Sequence, residues 1–201
     1  MVTSVETLHP VEIRVLGALI EKDITTPEYY PLTVNSLQNA CNQKSSRDPV
    51  VQFDERTVEQ ALETLKNKHL VIRISGAGHR VEKWAHRLGE TLNLGRREMA
   101  LLCVLMLRGP QTVGELRGRT ERMHDFTDLD EVERVLETLE RSELVARASR
   151  GRWVQLLGGQ PEMSEDPAPT AVRTPLEERV AALERELAQV KQQVEALQKF
   201  E

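Results

Sequence analysis

Residues 58–65 read VEQALETL and residues 132–139 read VERVLETL, identical at six of eight positions. Each octet is followed by a polar stretch and then a Leu-Val pair, Leu70-Val71 or Leu144-Val145. The likeness extends outward. Upstream, Glu12-Ile13-x-x-Leu16-x-x-Leu19-Ile20 matches Glu98-Met99-x-x-Leu102-x-x-Leu105-Met106, and Thr33-Val34-x-x-Leu37 matches Thr112-Val113-x-x-Leu116. Downstream, Trp84 matches Trp153. The offset falls from 86 to 79, 74 and 69 along the chain, so the copies differ by short insertions between elements. The first copy carries the longer connections, at 25–31 (TTPEYYP) and 43–52 (QKSSRDPVVQ). A unit of about 80 residues is too long for a solenoid repeat and suits a small domain. Two domains are expected, over 5–88 and 92–157.

Within one unit the pattern changes period. Pro10 suits the first position of a helix, and Glu12 falls in its first turn, where the helix dipole favours an anion. Ile13, Leu16, Gly17 and Ile20 follow helical spacing, as do Met99, Leu102, Cys103 and Met106. Thr33 and Thr112 are expected N-caps of a short second helix, and Thr112-x-x-Glu115 fits a capping box. A third helix is expected from Asp54, with Phe53 and Val58 as a hydrophobic staple. Its apolar face is Val58, Ala61, Leu62 and Leu65, or Val132, Val135, Leu136 and Leu139 in the second copy. The stretch 70–75 then turns β-branched, Gly76-Ala77-Gly78 signals a turn, and 81–84 returns as a strand. The second copy compresses this to strands at 144–148 and 153–156 around Ser149-Arg150-Gly151.

Helix, short helix, third helix and hairpin are the winged-helix order. The expected fold is mainly α with small β-hairpins: tandem winged-helix (helix-turn-helix) domains plus a C-terminal coiled-coil helix. Trp84 and Trp153 are expected to pack the wing onto the helices.

The stretches EKDITTPEYYPL (21–32) and NACNQKSSRDPV (39–50) are long and specific, and on them the sequence resembles the YceH-like family of bacterial proteins. The resemblance covers about residues 8–157. It implies tandem winged helices of unestablished function and no chemistry. His9 stands where the family pattern often has a hydroxyl cap.

Beyond the repeats, 158–175 (GGQPEMSEDPAPTAVRTP) holds four Pro and neither aromatics nor Ile or Leu, and is expected to be a flexible linker. A heptad follows over 176–200, with Leu176, Leu183, Val190 and Leu197 at d and Val180, Leu187 and Val194 at a. Val at a with Leu at d favours a two-stranded coiled coil. In a parallel pair Arg179 meets Glu184 and Glu186 meets Lys191. A homodimer is therefore expected; the alternative is one amphipathic helix packed on its own domains.

The net charge is −5, and the acidity sits in the tail: residues 1–90 hold 11 Lys/Arg against 12 Asp/Glu, 91–158 hold 11 against 11, and 159–201 hold 5 against 9. Neither domain has the basic balance that announces nucleic acid. No apolar run reaches the roughly 20 residues of a membrane helix. The first ten residues lack a signal-peptide pattern, and Cys41 and Cys103 read as reduced thiols, so a cytoplasmic location without membrane contact is expected. The histidines (His9, His69, His79, His86 and His124) do not pair with Cys or acidic residues at metal-ligand spacing, and no phosphate-binding glycine loop is present. No cofactor, metal or enzymatic activity is expected.

Double-stranded DNA is one candidate partner, through cations in turns and wings. In copy one these are Lys44 and Arg47 beside Ser45 and Ser46, then Arg73, Arg80 and Lys83; in copy two they are Arg117, Arg119 and Arg122, then Arg147, Arg150 and Arg152. Arg56, Thr57 and Gln60 are the candidate base readers. Against this, the third helices expose Glu55, Glu59 and Glu63, or Asp130, Glu131, Glu133 and Glu137. Carboxylates in a groove meet phosphate repulsion. The second candidate partner is another protein, with Tyr29 and Tyr30 in their proline-bracketed loop as the contact patch; the same loop could instead cap the core.

Overall fold

The computed structural model describes residues 6–75 and 81–159. The expected linker beyond Gly159, the whole heptad and residues Gly76 to Arg80 of the expected wing lie outside them. Copy one runs α1 (Pro10–Thr25), α2 (Val34–Cys41), α3 (Glu55–Asn67), β1 (Val71–Ile74) and β2 (Lys83–His86). After a short α4 (Leu88–Leu92), copy two runs α5 (Arg96–Arg108), β3 (Gln111–Thr112), α6 (Val113–Thr120), α7 (Leu129–Arg141), β4 (Val145–Arg147) and β5 (Arg152–Gln155). The chain is mainly helical with small antiparallel sheets, and one order of elements occurs twice.

Helix starts are set by side chains that satisfy free backbone N–H groups. Thr33 Oγ1 accepts from Ser36 N at 3.2 Å, and Asp54 and Asp128 accept from Thr57 N and Glu131 N at 2.8 and 2.7 Å. Thr112 and Glu115 form the reciprocal box, at 2.9 and 3.2 Å. His9 also caps despite lacking a hydroxyl: its Nδ1 accepts from Val11 N at 3.4 Å and its N–H donates to Glu12 at 2.6 Å. The expected apolar faces of α3 and α7 are the buried ones.

The hairpins are shifted and extended relative to expectation. The return strand of copy one is Lys83–His86 rather than 81–84, paired Val71↔His86 through Ile74↔Lys83. In copy two Arg150 and Gly151 take positive φ at the hairpin turn. Each hairpin also gains a third backbone partner from the residue before the N-cap of the second helix. Leu32 bridges Trp84 in copy one, and Gln111 pairs with Trp153 in copy two. These equivalent contacts place both tryptophans, 3% and 1% exposed, beneath the hairpins.

The first helices differ most from an ordinary amphipathic pattern. Every residue of α1 from Glu12 to Ile20 is buried, as is every residue of α5 from Met99 to Leu107. A helix apolar all round has neighbours on every side: each packs on its own copy and also on the other's first helix. They cross at Gly17, where an added Cβ would lie 3.0 Å from Leu107. Gly17 O accepts from the Cys103 thiol at 3.4 Å. Position 103 is the repeat equivalent of position 17, and contact between equivalent positions is what an approximate two-fold relation produces. One continuous core runs through both copies. Leu88, in the expected boundary 88–92, is itself fully buried, so the two copies form one compact unit. Leu8 N closes the unit by donating to Leu157 O at 2.7 Å.

Candidate phosphate-contact and partner surfaces

The insertion at 43–52 follows α2, whose last carbonyls have no partner within the helix. Two buried arginines supply the donors. Arg14, from the middle of α1, donates to Cys41 O at 3.4 Å and Pro49 O at 2.6 Å. Arg47, from the insertion, donates to Ala40 O at 3.1 and 2.8 Å and to both Glu21 oxygens at 3.0 and 2.7 Å. The Arg47 side chain is wholly covered. Burial pushes the Glu21 carboxyl up, but the hydrogen bonds and charge of Arg47 outweigh it and hold it below the ordinary value. The expected role of Arg47 as a phosphate contact is thereby corrected: its donors are engaged inside the protein. Asp48 N donates to Leu107 O at 2.9 Å, and Arg108 donates to Ser46 Oγ at 2.6 Å, so the insertion straps copy one to copy two.

Copy two places its predicted cations in similar internal duty. Arg117 donates to Phe126 O and Thr127 O at 3.3 and 3.0 Å and so pins the turn between α6 and α7. Glu115, already in the capping box, receives Arg119 at 3.4 Å and Arg152 at 2.9 Å. Arg152 also donates to Pro110 O at 3.0 Å. These three arginines are at the expected turn and hairpin, but carbonyls and a carboxylate of the chain hold them.

Lys44, Ser45, Arg56, Gln60 and Arg150 are exposed, Ser46 is exposed while tied to Arg108, Thr57 is half-buried, and Arg80 lies outside the described residues. Arg147 lies over the Trp153 ring at 4.5 Å. Around them the third helices turn carboxylates outward: Glu55, Glu59 and Glu63 on α3, and Asp130, Glu133 and Glu137 on α7. Glu131 departs from that expectation. It is half-buried, accepts from Thr127 N at 2.9 Å and pairs with Arg97 at 3.5 Å.

The two tyrosines separate. Tyr30 turns inward, its OH accepting from His86 N at 2.6 Å, so its expected partner role is corrected to a structural one. His86 meets Asp23 at 3.2 Å behind it. Tyr29 is 73% exposed. Burial pushes the Cys41 thiol up to about 12 and raises Cys103 as well, so both stay neutral and unreactive near pH 7. Among the described residues no group of three His, Cys, Asp or Glu could hold a metal ion, and no helix is long and apolar enough to cross a membrane.

The residues missed from sequence are Arg14 and Glu21. A signal existed for Arg14: an arginine inside the apolar run EIRVLGALI must find buried acceptors or leave the core.

A family model described as "Protein of unknown function, DUF480" matches residues 8–152. A UPF0502 protein of Solibacter usitatus is 53% identical over 196 residues, covering 94% of this chain and 95% of the relative. Its counterpart in Citrifermentans bemidjiense is 53% identical over 192 residues, covering 90% and 89%. The one in Serratia proteamaculans is 45% identical over 201 residues, covering 92% and 93%. The chain belongs to this DUF480 family of bacterial UPF0502 proteins, with which the YceH-like resemblance of the sequence is consistent.

Proposed function

We propose that the chain is a non-enzymatic tandem winged-helix protein that works as a protein-interaction scaffold. The repeated order of helix, short helix, helix and antiparallel hairpin supports the winged-helix reading, with α2–α3 and α6–α7 as the helix-turn-helix pairs. One observation carries the scaffold reading. The guanidiniums of Arg47, Arg117 and Arg152 are bound within the chain, whereas both third helices turn carboxylates to solvent. A reader of DNA needs the reverse arrangement, because phosphate contacts supply most of its affinity. The partner is a protein with a basic surface, and exposed Tyr29 offers an aromatic contact. The heptad at 176–200 makes the protein a homodimer that presents each face twice.

A second reading, DNA held through phosphates alone, is favoured by the exposed cations Lys44, Arg56, Arg147 and Arg150. Fluorescence anisotropy with a random duplex separates the two. The scaffold reading expects no saturable binding at low salt. Saturable binding that weakens steeply with salt and falls in Arg147→Ala/Arg150→Ala would establish the DNA reading in its place. Sedimentation tests the dimer: the full-length chain should sediment as a dimer and a chain ending at Gly158 as a monomer, and an unchanged oligomeric state would remove the tail from the proposal.

A further inference from the structure

The helix ends that converge on the insertion leave a recess of about 200 Å³ between the two copies. That is several times the roughly 30 Å³ share of one water. Four cations line it, Lys22, Arg108, Arg119 and Arg122, together with the hydroxyls of Ser45 and Ser46. Glu21 is the only carboxylate among its lining residues. Glu21 is already engaged by Arg47 at 2.7 Å and Lys22 at 3.4 Å. Such an excess of positive charge is out of keeping with a chain of net charge −5.

The partners of the three arginines sharpen the point. Arg119 meets Glu115 at 3.4 Å, but Glu115 is shared with Arg152 at 2.9 Å. Arg108 bonds only the neutral Ser46 Oγ, at 2.6 Å, and no described carboxylate pairs with it. Arg122 is exposed and has no described hydrogen bond or ion pair. Burial, and the like charges of Arg119 and Arg47, hold the Arg108 guanidinium below its ordinary value, and the charges of Glu21 and Asp48 offset this only in part. Three guanidiniums and two hydroxyls around one recess match the acceptor-rich, multiply charged surface of a phosphate group.

We propose that this recess binds the phosphate group of a small phosphorylated molecule, with Arg108, Arg119 and Arg122 as the charged ligands and Ser45 and Ser46 as neutral donors. A recess of this size admits a phosphate and a few attached atoms but not a duplex backbone. Since walls come from both copies, occupancy would tie α1 and the insertion to α5 and α6. The proposal uses neither the third helices nor Tyr29, on which the scaffold reading rests, and concerns a different ligand.

A plainer role competes with it. Lys22, Arg108 and Arg119 each lie in the last turn of a helix, where a cation offsets the negative end of the dipole. Titration of the full chain with inorganic phosphate, followed by calorimetry and by thermal unfolding against sodium chloride of matched ionic strength, decides between them. Saturable one-site binding is expected, with a melting temperature that climbs with phosphate concentration. Arg122→Ala should weaken phosphate at least tenfold while leaving the melting temperature in chloride unchanged, because Arg122 makes no hydrogen bond or ion pair among the described residues. Arg108→Ala should weaken it further, and the proposal does not depend on that variant folding. Equal phosphate response in Arg122→Ala and the parent chain would overturn the proposal, since phosphate also stabilises proteins by exclusion from their surface. No saturable binding would assign the cations to the helix ends alone. Displacement of phosphate by a DNA duplex would overturn the small-molecule assignment.

Discussion

The two copies close the same junction, between the second and third helices, by opposite means. Copy one uses a long insertion and two buried guanidiniums, with Arg47 wholly covered against Glu21 and Arg14 4% exposed. Copy two uses a short turn whose apolar side chains, Met123 and Phe126, are 7% and 1% exposed. There Arg117, an exposed arginine of α6, grips two carbonyls. A buried ion pair must recover a large desolvation cost through its geometry, whereas an apolar plug is stabilised by leaving water. The difference teaches that the copies share a topology but not the interactions that hold it, and that the electrostatically demanding version lies where the chain straps its halves together.

The largest test is therefore Arg47→Ala. It leaves Glu21 buried without its main partner and Ala40 O without a donor, and should cost about 3–5 kcal/mol in urea unfolding. Arg117→Ala, at the comparable place in copy two, removes hydrogen bonds that water can replace and should cost about 1 kcal/mol. Equal losses would break the comparison. Acid sharpens it. The Glu21 carboxyl is lowered in the folded chain, so its contribution is complete above the unfolded value of about 4.3 and is lost as pH falls through the lower folded value. In Arg47→Ala burial, which raises the carboxyl and is the largest influence on it, is opposed by Lys22 alone. The deficit of the variant should then be greatest near pH 7 and shrink on acidification, which urea midpoints across pH would show.

This junction also marks where sequence stopped being informative. The faces of α3 and α7, the caps at Thr33, Asp54 and Thr112, and the hairpins follow from local period and local hydrogen-bonding chemistry. Arg47 does not, because a cation in a polar loop reads as solvent-facing unless its distant acceptor is known, and Glu21 is 26 residues away. The same holds for the bridges from Leu32 and Gln111 to the tryptophans, which are non-local pairings too short to leave an alternating pattern. In the candidate surfaces the types of residue were legible, but whether each charge was free or bound was not.

A smaller effect is expected at the crossing of α1 and α5. Gly17→Ala sets a methyl 3.0 Å from Leu107 Cδ2 and 3.2 Å from Met106 Cβ, so the helices must part by a few tenths of an ångström. Overpacking of this kind costs about 1–3 kcal/mol, opposed by the better helix propensity of alanine, worth up to about 1. Cys103→Ala, at the equivalent position, removes a sulfur and opens space instead. The Cys103 thiol donates to Gly17 O at 3.4 Å, and contacting residues couple, so the two substitutions combined should depart from the sum of their separate effects. Strict additivity in thermal unfolding would show that the positions do not couple.

The smallest contrast lies in the caps of the second helices. Thr33 in copy one bonds Ser36 N alone, and its hydroxyl also meets Ser36 Oγ at 3.0 Å. Thr112 in copy two sits in a full box whose Glu115 further binds Arg119 and Arg152. Loss of an N-cap hydroxyl typically costs about 1 kcal/mol. Thr33→Ala should fall at or below that value. Thr112→Ala should exceed it, because Glu115 loses one of the bonds that orient it and with it the alignment of the α6 start to the Arg152 strand. The excess can be located by repeating Thr112→Ala in a Glu115→Gln background. There the charge linking cap, helix and hairpin is gone, and the two threonines should become equivalent. A persistent difference would mean that copy two's cap is stronger for reasons local to its own turn, and that Glu115 does not couple the helix to the hairpin.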